Sequence, residues 1–154
     1  MSRYEHGDEM KNHYTITVTI NAKAEAIYKA WLSTEGHSAI TGSPAKVDGT
    51  INGDFTAWDG YIWGMFLELE PNHRIVQAWR TAEFPSEAED SIVEILLHEE
   101  EIASTGKRRL ATTYKTKITL KHSNIPAGQA DSYKTGWEDF YFKPMREWSE
   151  GSEK

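Results

Sequence analysis

The chain is 154 residues long and carries 17 Lys and Arg against 24 Asp and Glu, a formal net charge of −7. That length fits one domain with its own core, the absence of Cys excludes disulfides, thiolate metal sites and Cys nucleophiles, and an acidic isoelectric point near 5.4 speaks against nucleic acid or an anionic membrane as a partner. No apolar run approaches the roughly 18–20 residues of a membrane span, and the first 12 residues lack the apolar stretch of a signal peptide, so the expected compartment is the cytoplasm.

No repeat, low-complexity tract or Pro/Gly/Ser linker divides the chain, which predicts one domain over residues 1–154 with a core from about 12 to 148. The first dozen residues and the tail from Ser149 are polar and read as frayed ends. His13 to Asn21 alternates Tyr14, Ile16, Val18 and Ile20 with threonines, the period-two pattern of a half-buried strand. Asn21 is the expected cap of a helix over Lys23–Leu32, with Ala26, Ile27, Ala30 and Trp31 on one face. Ser33 or Thr34 caps a second short helix to Ile40, ended by Gly42, Ser43 and Pro44.

Short strands and turns then follow as an antiparallel meander. Asp48-Gly49 and Asn52-Gly53 mark turns, Phe55 to Trp58 a strand, and Asp59-Gly60 the next turn. Tyr61 to Glu70 is a strand with Tyr61, Trp63, Met65, Leu67 and Leu69 on one face. Arg74 to Thr81 is a strand with Ile75, Gln77 and Trp79 aligned, and residues 81–90 form an acidic loop. Ser91 to Glu99 is a strand carrying Val93, Ile95 and Leu97. A polar loop over Ala103–Arg109 leads to a last strand, Leu110–His122, with Tyr114, Thr116, Ile118 and Leu120 aligned. The chain closes with a helix of about six turns, Ala127–Trp148, whose apolar face includes Tyr133, Trp137, Phe140, Tyr141, Met145 and Trp148. Gly136 inside it costs about 1 kcal/mol relative to Ala, and Pro144 predicts a kink or local break.

A single sheet has one buried face, and only the terminal helix is long enough to cover it. A curved sheet around one helix leaves a gap where the two surfaces diverge. The fold class is therefore α+β: a curved antiparallel sheet of about six to seven strands around a long C-terminal helix, with two short helices after the first strand. The face turned toward the gap collects Trp31, Phe55, Tyr61, Trp63, Met65, Trp79, Ile95, Tyr114, Trp137, Tyr141 and Met145. This is either an aromatic lining for a small apolar ligand or an ordinary core of large rings.

Catalytic signatures are missing. Residues 36–40 (GHSAI) lack the second Gly of a nucleophile elbow, and there is no dinucleotide or phosphate loop. His6, His13, His37, His73 and His98 show no metal-ligand spacing, and no metal or cofactor is expected. His122, at the end of the last strand, is read as either a general acid–base or a hydrogen-bonded structural His. His98 to Glu101 is expected to pair across a hairpin with Lys107–Arg109, and Lys115, Lys117 and Lys121 to form a solvated face. Val76, Ala78, Ile92 and Leu96 are apolar on the opposite sheet face, which suggests cover by a second subunit in a homodimer.

Several segments together carry a resemblance. They are Gly42 to Ala45, Gly53-Asp54-Phe55, Asp59-Gly60-Tyr61, the run Leu69 to Arg80 (LEPNHRIVQAWR), Thr119 to Pro126 (TLKHSNIP), Gly136-Trp137 and Phe142 to Met145. Over about Asn12 to Trp148 the chain resembles the AHSA family, domains similar to the C-terminal half of the activator of heat shock protein 90 ATPase. The resemblance implies the START-like (SRPBCC) superfamily and its helix-grip fold, shared with polyketide cyclases, lipid-transfer domains and birch-pollen allergens. It also implies a role in the stress response, with heat shock protein 90 as a partner. Three functions follow as expectations: binding of a small hydrophobic or aromatic ligand between sheet and helix, regulation of the heat shock protein 90 ATPase, or a cyclase-like or hydrolytic reaction at His122 or a buried Tyr.

Overall fold

The computed structural model describes residues 12–102 and 113–152. The expected loop over Ala103–Arg109, its three basic residues, His6 and the start of the last strand lie outside these residues.

Strand β1 (Tyr14–Ile20) leads into helices α1 (Ala24–Trp31) and α2 (Thr34–Thr41). The strands β2 (Lys46–Val47), β3 (Asp54–Ala57), β4 (Ile62–Glu70), β5 (Arg74–Thr81), β6 (Ser91–Ile102) and β7 (Thr113–Ser123) follow. They form one seven-stranded antiparallel sheet in the order β1-β7-β6-β5-β4-β3-β2, so the first strand closes against the last while the others meander. The C-terminal helix grips the inner face and buries Tyr133, Trp137, Tyr141, Phe142 and Met145 with the inward residues of β5, β6 and β7.

Local chemistry explains the helix ends. The expected Asn21 cap is not used. The cap position of α1 is Lys23, whose side chain makes no capping bond. The Glu99 carboxylate on β6 accepts from the Ala24 N–H at 2.7 Å instead, placing negative charge at the positive end of the helix. Helix α2 follows its sequence signals: Ser33 Oγ accepts from Gly36 N–H at 2.9 Å, and Gly42 ends it in the left-handed region at φ 78°.

The terminal helix is not uniform. It starts later than expected as α3 (Ala130–Trp137), widens into a π-turn over Glu138–Phe142, and continues as α4 (Lys143–Ser152). Pro144 has no N–H to give to the carbonyl four residues back, so the ladder loosens just before it. The extra residue lets Tyr141 and Phe142 both turn inward. The polar tail is also more ordered than expected: Ser149 is buried, and its hydroxyl donates to the Arg146 carbonyl at 2.8 Å.

Strand β4 departs from simple alternation. A bulge between Phe66 and Glu68 shifts its pairing with β5. Ahead of the bulge Ile62, Gly64 and Phe66 face the core; beyond it Leu69, opposite the buried Ile75, does. The one-residue offset turns Trp63 and Met65 to the outer face. Trp63 is 38% exposed, and the Arg80 guanidinium lies over its ring at 6.0 Å.

Candidate functional site

The interior has two ends of different character. At one end Ile27, Trp31, Ile75, Ile95, Leu97, Ile118, Leu120, Phe142 and Met145 close around a void of only about 10 Å³, too small for a guest. At the other end sheet and helix diverge. A cavity of about 380 Å³ opens there, lined by Trp58, Tyr61, Ile62, Trp79, Ser132, Tyr133, Gly136, Trp137, Phe140 and Tyr141. That volume lies within the roughly 300–1,000 Å³ range of small-molecule sites.

Of the eleven residues expected to line the gap, Tyr61, Trp79, Trp137 and Tyr141 do so. Trp31, Ile95 and Met145 line the closed end. Phe55 packs into the core against Phe66, with ring centroids 5.2 Å apart. Tyr114 lies beyond the far end of the core in a polar cleft with Lys23, Asn72, His73 and Glu99, and Lys23 Nζ sits 4.7 Å from its ring centre. Trp63 and Met65 face outward for the reason given above.

Sequence reasoning missed Trp58, Ile62, Ser132, Tyr133, Gly136 and Phe140 as wall residues. Gly136 was the one with a signal. A side-chain carbon added there meets only Phe140 Cδ2, at 3.6 Å, so its missing side chain becomes cavity space. Phe140, 55% exposed, and Trp58 meet edge to face at 5.5 Å between centroids.

The walls are held by buried polar networks. His122 is fully buried. Its Nδ1 accepts from Trp137 Nε1–H at 3.1 Å and from the Tyr14 hydroxyl at 2.8 Å. The proton therefore sits on Nε2, which donates to Ser91 Oγ at 2.9 Å, and the Ser91 hydroxyl donates onward to the Trp79 carbonyl at 2.6 Å. Burial holds the His122 pKa far below its ordinary value, at about 3. The imidazole thus stays neutral, off the cavity surface, and fixes the Trp137 indole. Both ring nitrogens of His122 are thus hydrogen-bonded within the wall, as the structural reading expects. His37 does the same for Tyr141. Its Nδ1–H donates to the Trp31 carbonyl at 3.0 Å, and its Nε2 accepts the Tyr141 hydroxyl at 2.9 Å. Burial lowers its pKa as well.

A polar rim occupies one side of the mouth. The Tyr61 hydroxyl donates to Glu83 Oε2 at 2.7 Å, and burial together with that carboxylate pushes its pKa up to about 12. The Tyr133 hydroxyl donates to Gln129 Oε1 at 2.6 Å and meets Thr81 Oγ1 at 2.7 Å. The acidic loop is tied down here: Phe84 is buried against Trp79 and Tyr133, and Arg80 binds Asp90 at 2.8 Å and the carbonyls of Ala88 and Pro85.

Two surface expectations concern the sheet. Glu99, Glu100 and Glu101 lie opposite Thr116, Lys115 and Tyr114. On the outer sheet face, Val76 and Ala78 are only 7% and 8% exposed in the single chain, while Ile92 and Leu96 are half-buried.

No described helix is long and apolar enough to cross a membrane. The family model of activator of Hsp90 ATPase homolog 1-like proteins matches residues 21–148. The chain is 24% identical over 133 residues to the human activator of 90 kDa heat shock protein ATPase homolog 1, a stretch that covers 86% of this chain and 36% of that protein. It spans about a third of the length of the curated relatives it matches. A crystal structure of an HSP90 activator from Plasmodium falciparum superposes with a TM-score of 0.70 at 25% identity, covering 86% of this chain and 91% of that one. The solution structure of the Aha1 dimer from Colwellia psychrerythraea, at 15% identity and TM-score 0.67 over 89% of this chain and 96% of that one, shares the fold. With the match running across most of the chain, the protein belongs to the AHSA1 family, the activator of Hsp90 ATPase homolog 1-like proteins.

Proposed function

We propose that this protein binds a small, flat, largely apolar ligand in the cavity between sheet and C-terminal helix. The observation that carries the reading is the cavity of about 380 Å³ walled by Trp58, Tyr61, Trp79, Trp137, Phe140 and Tyr141 above a bare Gly136. Rings of this kind supply stacking faces and large buried area to an aromatic guest. The size favours two or three fused rings over a sterol. Thermal shift against a panel of bicyclic aromatics, flavonoids, fatty acids and sterols tests it, with Gly136→Leu as the blocked control. Stabilisation of the wild type alone by flat aromatics is expected, reaching about 2.7 kcal/mol at 100 times the dissociation constant. No shift with any compound overturns the reading.

Family membership favours a second reading, regulation of the heat shock protein 90 ATPase. Its determinants would lie on the surface, with the acidic loop from Glu83 to Asp90 as the first candidate. A change in the ATPase rate of the cognate chaperone, equal for wild type and Gly136→Leu, supports it; no change and no binding by calorimetry ends it. Self-association is the further expectation, supported by Trp63 exposed beside Met65 on the outer sheet face. A concentration-independent monomer by sedimentation removes it.

A further inference from the structure

Most polar atoms in the cavity wall are already engaged. The Tyr61 and Tyr133 hydroxyls donate to Glu83 and Gln129, the Tyr141 hydroxyl to His37, and the Trp137 indole to His122. Trp58, held in a left-handed turn at φ 53°, has its indole nitrogen sealed from water and offers a guest only its ring. Two polar groups are left, the Ser132 hydroxyl and the Trp79 indole N–H, and neither bonds a described group.

These two differ in how they reach water. Ser132 is exposed, and its hydroxyl turns to bulk water whatever occupies the cavity. Trp79 stands on the inner face of β5 and is only 3% exposed. Its ring is packed by His122, Tyr133, Trp137 and Phe84, with centroids 4.7 to 6.2 Å away, and the open space it borders is the cavity. Its nitrogen is not sealed: among the described residues, the buried side-chain nitrogens with neither a partner nor contact with water are those of Trp58 and Gln77. An N–H so placed reaches water through the cavity. A guest that fills the cavity strips that water away and leaves a buried donor unpaired, which is costly. A guest that sets an acceptor against the N–H replaces the lost bond.

We infer that Trp79 is a specificity-determining residue of the cavity: its indole N–H donates to an acceptor oxygen on the bound molecule, so the preferred guest is a flat aromatic with a carbonyl-type oxygen on the edge that lies against β5. This rests on the cavity reading above and narrows it. The acceptor is neutral, because the wall holds no basic side chain to compensate a carboxylate or phenolate, and the Glu83 carboxylate at the rim repels one.

The test uses two probes of nearly equal shape, 2-acetylnaphthalene and 2-isopropenylnaphthalene. Calorimetry on wild type is expected to show the ketone binding about tenfold more tightly than the hydrocarbon. In nitrogen-15-labelled wild type, the indole N–H signal of Trp79, assigned by its contacts to Phe84 and Tyr133, should move downfield with the ketone and not with the hydrocarbon, the largest such difference among the six tryptophans. Trp79→Phe should lose the preference while holding the hydrocarbon within about twofold, and Ser132→Ala should keep it. Equal affinity of wild type for both probes, a ketone-specific shift on another indole or on none, or loss of the preference in Ser132→Ala overturns the role of Trp79 and leaves the cavity reading standing. If neither probe binds wild type, and Gly136→Leu and wild type give the same response to the wider panel, both readings fall together.

Discussion

Acidification should unfold this protein through its buried histidines. His122 and His37 are neutral in the folded chain, each with both ring nitrogens engaged, and burial lowers both pKa values. An unfolded histidine titrates near 6.5. Below that pH the unfolded state binds a proton that the folded state refuses, so stability falls as pH falls. For His122 the window runs from about 6.5 down to about 3, and each unit inside it removes about 1.4 kcal/mol. At pH 5 the His122 share is about 2 kcal/mol, and His37 adds a loss of the same sign. Most carboxylates are still ionised there, so the histidines dominate. Urea unfolding at pH 7.5, 6 and 5 measures the effect. His122→Asn keeps an acceptor near Trp137 and Tyr14 but cannot titrate. It should be less stable at pH 7.5 and lose stability more slowly on acidification. A wild-type stability that is flat from pH 7.5 to 5, or a slope unchanged in His122→Asn, would refute the assignment of neutral, locked imidazoles.

Gly136→Ala should stabilise the helix by up to about 1 kcal/mol, raising Tm by about 2–4 °C, because the added carbon meets only Phe140; the same methyl narrows the cavity and should weaken the largest guests first. Removing the carboxylate that caps α1, in Glu99→Ala, should cost about 1 kcal/mol in denaturant unfolding. The two ends of the interior should also separate in a mutant pair. Met145→Ala at the closed end should cost about 2–5 kcal/mol, since Met145 is 1% exposed, whereas Phe140→Ala at the mouth should leave stability within about 1 kcal/mol and change ligand affinity.

Much of the fold could be read from the residues because local and global signals agree. The Thr-spaced alternation of β1, the Ser33 cap and Gly42 stop of α2, and the period-two pattern of β5 and β6 each specify what tertiary packing then uses. The site was read less well, and the reasons are specific. Alternation carried through Tyr61–Leu69 without a bulge assigns the wrong face to Trp63 and Met65, and nothing in WGMFLELE announces that Leu67 is the extra residue. Trp58 reads as the last residue of the strand that begins at Phe55, while the left-handed turn that holds it depends on Asp59 N–H bonding the Pro44 carbonyl 15 residues earlier. Phe140 reads as core on an ideal helix. The π-turn before Pro144 moves it to the mouth, and Pro144 announced a distortion without its form.

Regular geometry fails in several of the elements that enclose the interior. Gly64 allows β4 to approach β5 so closely that a side-chain carbon there would lie 1.9 Å from the Ala78 carbonyl oxygen, and the Leu67 bulge bends the same strand further. On the other wall the π-turn carries Phe140 outward, and Gly136 withholds a side chain from the surface that the bent sheet leaves behind. The closed end borders two of these departures as well, the β4 bulge beside Ile75 and the last π-turn residue Phe142, but side chains fill it. Ile, Leu and Met side chains meet there at the density of an ordinary core, and the void shrinks to about 10 Å³. The left-handed Trp58 turn, the π-turn residues Phe140 and Tyr141 and the unsubstituted helix position Gly136 all border the same opening, which is why the mutant pairs above are chosen on its two sides.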